Sequence, residues 1–298
     1  MKLPDIETME IEKGTSLWSN SWYRLKQNRL AMVGLVILIF MVFVSLLTPW
    51  IAPYSYEAQD LNLGAVSPSA KHWLGTDTFG RDMLTRIMYG SRVSLAVGFL
   101  ATVVSLIIGV TWGTISGYSG GRTDSVMMRI VDILYALPFI IFVILLMVVF
   151  GRNLFLLFMA IGAIEWLTMA RIIRGQVLSI REKEYIDSAI MTGISKWRII
   201  TRHVIPNTIG PIIIYTTLTI PEVILLESFL SFLGLGIQQP DASWGNMLSD
   251  AMSIVHIQFA PWILLPGFFI FITVICFNVV GDNLRDCLDP LFKMESKI

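Results

Sequence analysis

The sequence predicts an all-α membrane protein with six transmembrane helices and both termini in the cytoplasm. Hydrophobic residues make up 55% of the 298 positions and charged ones only 15%, too apolar for an ordinary soluble domain. The apolar residues also fall in runs. Residues of about 30–52, 93–118, 127–150, 153–173, 208–235 and 262–281 each approach or exceed the roughly 20 positions needed to cross about 30 Å of hydrocarbon. A soluble core would show apolar stripes interrupted by polar faces every few residues. Basic residues then orient the chain. With the amino terminus inside, the inside segments carry 17 of the 22 lysines and arginines, and the outside ones only Lys71, Arg81, Arg86, Arg92 and Arg152. This asymmetry is the positive-inside pattern.

Residues 1–29 read as a cytoplasmic tail. It either ends in an interfacial helix, with Trp18 and Trp22 on one face beside Lys26 and Arg29, or is partly disordered. The first apolar run follows a long charged segment and exceeds a signal h-region, so it reads as a span. Residues 30–92 hold this span and an external loop. The span stops at Pro49-Trp50-Ile51-Ala52-Pro53, and in the loop Thr76 or Asp77 is the expected helix cap. Asp/Arg alternation there suits local ion pairs.

Residues 93–284 form the core. Gly109, Gly113 and Gly117 lie on one face of the second span, which lets a neighbouring helix approach closely. The glycine-rich turn at 117–124 lacks the Lys-Ser/Thr pair of a phosphate loop. In the third span, Asp132 is expected to pair with Arg129 three residues earlier, and Pro138 to bend the helix. The fourth and fifth spans carry Glu165, Glu222 and Glu227. Carboxylates at such depth are costly, so each either lines a wet passage or pairs with a neighbouring helix. The loop 176–207 is long, basic and helical in pattern, interrupted by Gly193 and closed by Pro206. Gly193 suits a turn between two short helices because it tolerates positive φ. Residues 285–298 read as a second cytoplasmic tail, entered through Leu288-Asp289-Pro290.

Cys276 and Cys287 lie toward the cytoplasmic end of the last span, and His72, His203 and His256 share no ligand spacing. Neither a disulfide framework nor a metal site is expected.

Several motifs occur in order along the chain: Leu74-Gly-Thr-Asp-x-x-Gly-Arg-Asp-x-Leu, Gly117-Tyr-x-Gly-Gly-x-x-Asp, Met128-Arg-x-x-Asp132, and Asp187-Ser188-Ala189 followed by Gly193 and Pro206. After them come Ser231-Phe-Leu-Gly-Leu-Gly, Ser243-Trp-Gly-x-Met-Leu-x-Asp250 and Phe277-Asn-x-x-Gly-Asp-x-x-Arg-Asp. Together these resemble the C-type permease subunit of oligopeptide/dipeptide ABC importers. The resemblance implies the type I importer permease fold in a bacterial inner membrane. It also implies that the 187–206 segment is the "EAA" loop that docks on an ATPase, here with Asp-Ser-Ala in place of Glu-Ala-Ala. Implied partners are a homologous B-type permease, two ATPases that bind the ATP-Mg, an extracytoplasmic peptide-binding protein, the peptide and the lipid bilayer. No cofactor in this chain and no nucleic acid are expected. Overall resemblance ranks oligopeptides ahead of nickel or glutathione as cargo.

Two other classes weigh less. A self-sufficient transporter would use the three glutamates as a proton relay, but the halves show no inverted repeat. An intramembrane enzyme would need a catalytic set such as His-Glu-x-x-His, which the sequence lacks.

Overall fold

A computed structural model describes residues 22–23, 25–151, 153–252 and 260–288. Five helices are long and apolar enough to span a membrane, and a bent pair makes a sixth. The tail residues 1–21, Asp289-Pro290 and the expected pairing of Trp18 with Trp22 lie outside the described residues.

Helix α1 (Arg29–Ile51) starts where the Asn28 side chain accepts from the Leu30 and Ala31 amides at 3.0 and 3.2 Å. Its buried positions, Ala31, Gly34, Leu38, Met41, Ser45 and Thr48, repeat every three or four residues and form a single stripe. The opposite flank, including Phe40, Phe43, Leu46 and Trp50, is bare and apolar, as suits a surface in lipid.

Helix α2 (Met83–Ser119) begins within the segment expected to be loop, so residues 83–92 are helical. Its cap is Asp82, whose carboxylate accepts from the Thr85 amide at 2.8 Å, not Thr76 or Asp77. Those two are spent elsewhere. The Thr76 hydroxyl donates to the Gly64 carbonyl, and the Asp77 carboxylate accepts from the Phe79 and Arg81 amides.

The third span is two helices, α3 (Gly121–Tyr135) and α4 (Phe139–Phe150), meeting at 83°. The expected bend at Pro138 is therefore a full break. Proline lacks the amide that would bond back into α3, and its ring disfavours helical geometry at Leu137.

Helix α5 (Leu154–Arg181) makes the most extensive helix contact in the chain, against α2. The glycines of α2 make that approach possible. A Cβ at Gly109 would lie 2.6 Å from Met169 Cβ, one at Gly113 2.5 Å from the Ala170 carbonyl, and one at Gly117 2.9 Å from the Arg174 carbonyl. Arg174 grips Asp124 of α3 through two 2.6 Å bonds. Asp132 pairs across helices with Arg171 at 2.8 Å, not with Arg129. The reason is that α3 packs on α5, and Arg171 also stacks over the Tyr135 ring at 4.2 Å.

After α5 come α6 (Glu184–Met191), the short α7 (Lys196–Ile199), a π turn (Ile200–Val204) and α8 (Ile205–Phe232). The chain stays helical from Lys196 to Phe232. Pro206 thus opens the first turn of α8 and does not close the preceding helix. The proline ring is tolerated inside this continuous helical run because the wider π turn before it makes room for the ring and the missing amide bond. Helix α9 (Trp244–Met252) is a short segment after α8, and α10 (Ala260–Leu288) completes the bundle against α1 and α8.

Candidate functional site

The α6–α7 loop is built as an anchored element with a bare outer face. Ile186, Ala189, Ile199 and Val204 are buried in one cluster with Met169, Ile173 and Val177 of α5. Ala189 must be small because it faces this cluster, whereas Asp187 and Ser188 are exposed. The Ser188 hydroxyl donates to the Glu184 carbonyl at 2.9 Å within α6. Gly193 has φ +77°. Its amide donates to the Ile190 carbonyl at 3.0 Å, and the Ile194 amide to the Ala189 carbonyl at 3.2 Å. This is a Schellman end, in which a left-handed residue is needed to close the helix. A Cβ at Gly193 would meet nothing within 4 Å in this chain, so the turn is not the packed joint a tight interhelical elbow would be. Met191 is 87% exposed and Trp197 74%. Both side chains project from the buried base formed by Ile186, Ala189 and Ile199.

Glu165 of α5 and Glu222 of α8 line one cavity of about 360 Å³. Tyr135 at the end of α3, Phe139 and Phe142 of α4, and Thr168 complete much of its wall. The break at Ala136–Pro138 therefore opens on this space, as expected of non-helical backbone at membrane depth. Glu227, grouped with these two in the sequence reading of a passage, does not line it. It is fully buried, accepting from the hydroxyls of Ser94 at 2.9 Å and Ser231 at 2.7 Å. The Ser94 oxygen in turn accepts from the Trp244 amide at 3.3 Å. Glu227 thus ties α2, α8 and α9 together as a structural group.

Sequence reasoning missed the assembly at the far end of α8. Helix α9 is seated deeply, with Trp244 at 0% exposure. A Cβ at Gly245 would lie 2.5 Å from the Ser228 carbonyl, and one at Gly236 would overlap Ser231. These contacts explain the small residues of the Ser231–Gly236 and Ser243–Gly245 motifs. At the other end of α9, Asp250 meets the external loop. Arg81 and Arg86 both reach Asp77 Oδ2 at 2.6 Å and Asp250 Oδ2 at 3.0 Å. Both arginine side chains are 2% exposed and Asp77 9%, while Asp250 is 31% exposed, so two cations and two anions balance with only Asp250 partly in water. The signal for this cluster was the presence of Asp and Arg in two separate external motifs. What the sequence lacked was their proximity.

Residues 109–294 match the family described as binding-protein-dependent transport system inner membrane component, and residues 16–68 match the N-terminal transmembrane domain of oligopeptide transport permease C. The chain belongs to this family of permeases. The oligopeptide transport system permease protein OppC of Haemophilus influenzae is 47% identical over 96% of this chain and 92% of its own length. The dipeptide transport system permease protein DppC of Bacillus subtilis is also 47% identical, over 92% of this chain and 86% of its own. Among solved structures, a chain of the MetNI methionine ABC transporter in inward-facing form superimposes with a TM-score of 0.59 at 17% identity. That match spans 70% of this chain and 98% of the other, and it shows a shared type I importer permease fold. The permease is a multi-pass protein of a bacterial inner membrane and a transport subunit, not itself an enzyme. Along it, the α6–α7 loop stands before α8 and the cap formed by α9 after it.

Proposed function

We propose that this permease carries peptides across the membrane as one of two homologous transmembrane subunits, paired with a B-type permease. Two ATPase subunits bind ATP-Mg and dock on the α6–α7 loop from the cytoplasm, and an extracytoplasmic binding protein delivers the peptide. The observation that carries the reading is near-full-length identity to permeases named for oligopeptides and for dipeptides, tied at 47%. That tie supports peptides as the class and leaves length to the binding protein.

In this reading both termini are cytoplasmic. Met191 and Trp197 supply the apolar contact on the ATPase, Asp187 and Ser188 lie on the exposed side of the same helix, and Gly193 sets the angle between the two short helices. Loading of the external partner and ATP binding favour one arrangement of the bundle, and hydrolysis resets it. Glu165 and Glu222 line part of the peptide route. The test is purification of the tagged chain from its own cells, followed by peptide uptake in a strain lacking it. Co-purification of two ATPases and a second permease, with loss of uptake on deletion, is expected. Recovery of the chain without an ATPase, or normal peptide uptake after deletion, would overturn the reading.

A further inference from the structure

A second cavity, of about 560 Å³, lies under the external loop at the outer end of α1 and the start of α2. Its apolar wall is Ile51 and Pro53 at the end of α1, with Leu84 and Met88 in the first turns of α2. Lys71 and Trp73 of the loop complete it. Ile51, the last residue of the α1 span, lines the cavity and is 47% exposed. Trp73 is itself 70% exposed. Tryptophan and lysine at the end of an apolar helix mark the headgroup layer, where an aromatic ring and a cation both find partners.

The loop that roofs the cavity is pinned in place. The Tyr54 hydroxyl donates to the Lys71 carbonyl at 2.7 Å, and the Tyr54 and His72 rings stack with centroids 4.8 Å apart. Asp82, also in the wall, is fully engaged: it holds the Thr85 amide and hydroxyl at 2.8 and 2.9 Å and faces His72 Nδ1 at 2.9 Å. Lys71, exposed at the mouth, is the cation of the lining. The site is therefore lined by apolar side chains from the end of one span and the start of the next, with one exposed lysine beside the aromatic residues Tyr54 and Trp73.

We propose that this cavity seats one phospholipid of the adjoining leaflet. Its acyl chain lies over Ile51, Leu84 and Met88, and its phosphate meets the Lys71 ammonium beside Trp73. A soluble partner would approach the loop from water, but this cavity is lined by the exposed last residue of the α1 span, Ile51, and by the apolar side chains of Leu84 and Met88. The lipid seat does not depend on what the permease carries.

The test uses the assembled importer in nanodiscs of phosphatidylglycerol and phosphatidylethanolamine, with p-benzoylphenylalanine in place of Ala70 at the rim and, as control, in place of Gln59 farther along the loop. After irradiation, mass spectrometry should find a phospholipid adduct at the Ala70 position and little at Gln59. Lys71→Glu should lower the adduct at least about fivefold, the equivalent of about 1 kcal/mol for one basic residue near a lipid surface, and Lys71→Arg should preserve it. Equal adducts at both positions, indifference to Lys71→Glu, or cross-linking to a protein subunit would each overturn the proposal. Inorganic phosphate added in excess should not compete; competition would reveal an anion site with no lipid specificity and overturn it too.

Discussion

Arg86 and Asp250 stand 164 positions apart in the chain, yet the Arg86 guanidinium donates to the Asp250 carboxylate at 3.0 Å. That bond, with its twin from Arg81, fastens the short helix α9 to the first turn of α2 and to the loop before it. A buried ion pair contributes little net stability when intact, but removing one partner strands the other charge.

Asp77→Ala should therefore lower stability by about 3–5 kcal/mol, because it leaves two buried guanidinium groups sharing the single carboxylate of Asp250. Asp250→Ala should cost less, since Asp250 is 31% exposed against 9% for Asp77 and its two bonds, at 3.0 Å, are longer than the 2.6 Å bonds to Asp77. Thermal unfolding of the purified permease in one detergent ranks the two. Equal melting temperatures would show that the cluster is not the clamp described.

The three intramembrane carboxylates should separate by phenotype. Glu165→Gln and Glu222→Gln should leave the protein at normal level while altering peptide uptake, because both face the cavity. Glu227→Leu should instead reduce folded yield. It leaves the Ser94 and Ser231 hydroxyls unpaired, each at about 1–3 kcal/mol. Unchanged uptake in both cavity variants would remove the cavity from the route.

Gly193→Ala and Gly193→Arg share the same backbone strain, about 1–2 kcal/mol for a side chain in the left-handed region. They differ in what projects outward. Since a Cβ there touches nothing in this chain, any extra loss in the arginine variant arises at a partner. Gly193→Ala should retain its ATPases and most uptake, and Gly193→Arg should lose both. Co-purification reads the difference, and equal retention by the two variants would refute docking at this turn.

Gly113→Leu should abolish folded protein, because its Cβ would press on the Ala170 carbonyl, whereas a Cβ at Gly175 on the partner helix meets nothing within 4 Å. Gly175→Ala should be neutral or add up to about 1 kcal/mol through helix propensity. Size-exclusion profiles and melting temperatures check the pair.

Orientation follows from the basic residues. Reporter fusions after Gln59 and Asp241 should read outside, and those after Gly193 and Lys293 inside. A cytoplasmic signal from the Asp241 fusion would break the six-span arrangement.

Much of this was legible before any coordinates, where physics acts locally. Apolar runs report helices in lipid, and the position of Gly193 between two helical patterns reports a turn needing positive φ. The failures share a cause. The partner of Asp132 was sought at Arg129 because sequence displays only near neighbours, while the true partner, Arg171, sits on another helix. Pro206 looked like a terminator because the preceding π turn leaves no compositional trace. Glu222 and Glu227 were grouped by residue type, although five residues turn a helix through about 140° and so aim them at different surfaces. Within the Asp77–Arg81–Arg86–Asp250 cluster the local Asp/Arg pairing follows from the alternation in the loop, whereas the tie to Asp250, 164 positions from Arg86, leaves no local trace.

The unbroken helical run from Lys196 to Phe232, 37 residues long, carries a mechanical consequence. At about 1.5 Å per residue it is a strut of some 55 Å. One end is embedded in the exposed loop, its middle bears Glu222 on the cavity, and its far end holds α9 through Glu227 and Ser231. A stiff strut cannot be pushed at one end without displacing the other. The loop, the cavity and the α9 cap therefore lie along one helical run, and a stroke delivered at Trp197 reaches Trp244 through three points where the run can bend, the wide turn at Ile200–Val204 and the prolines Pro211 and Pro221.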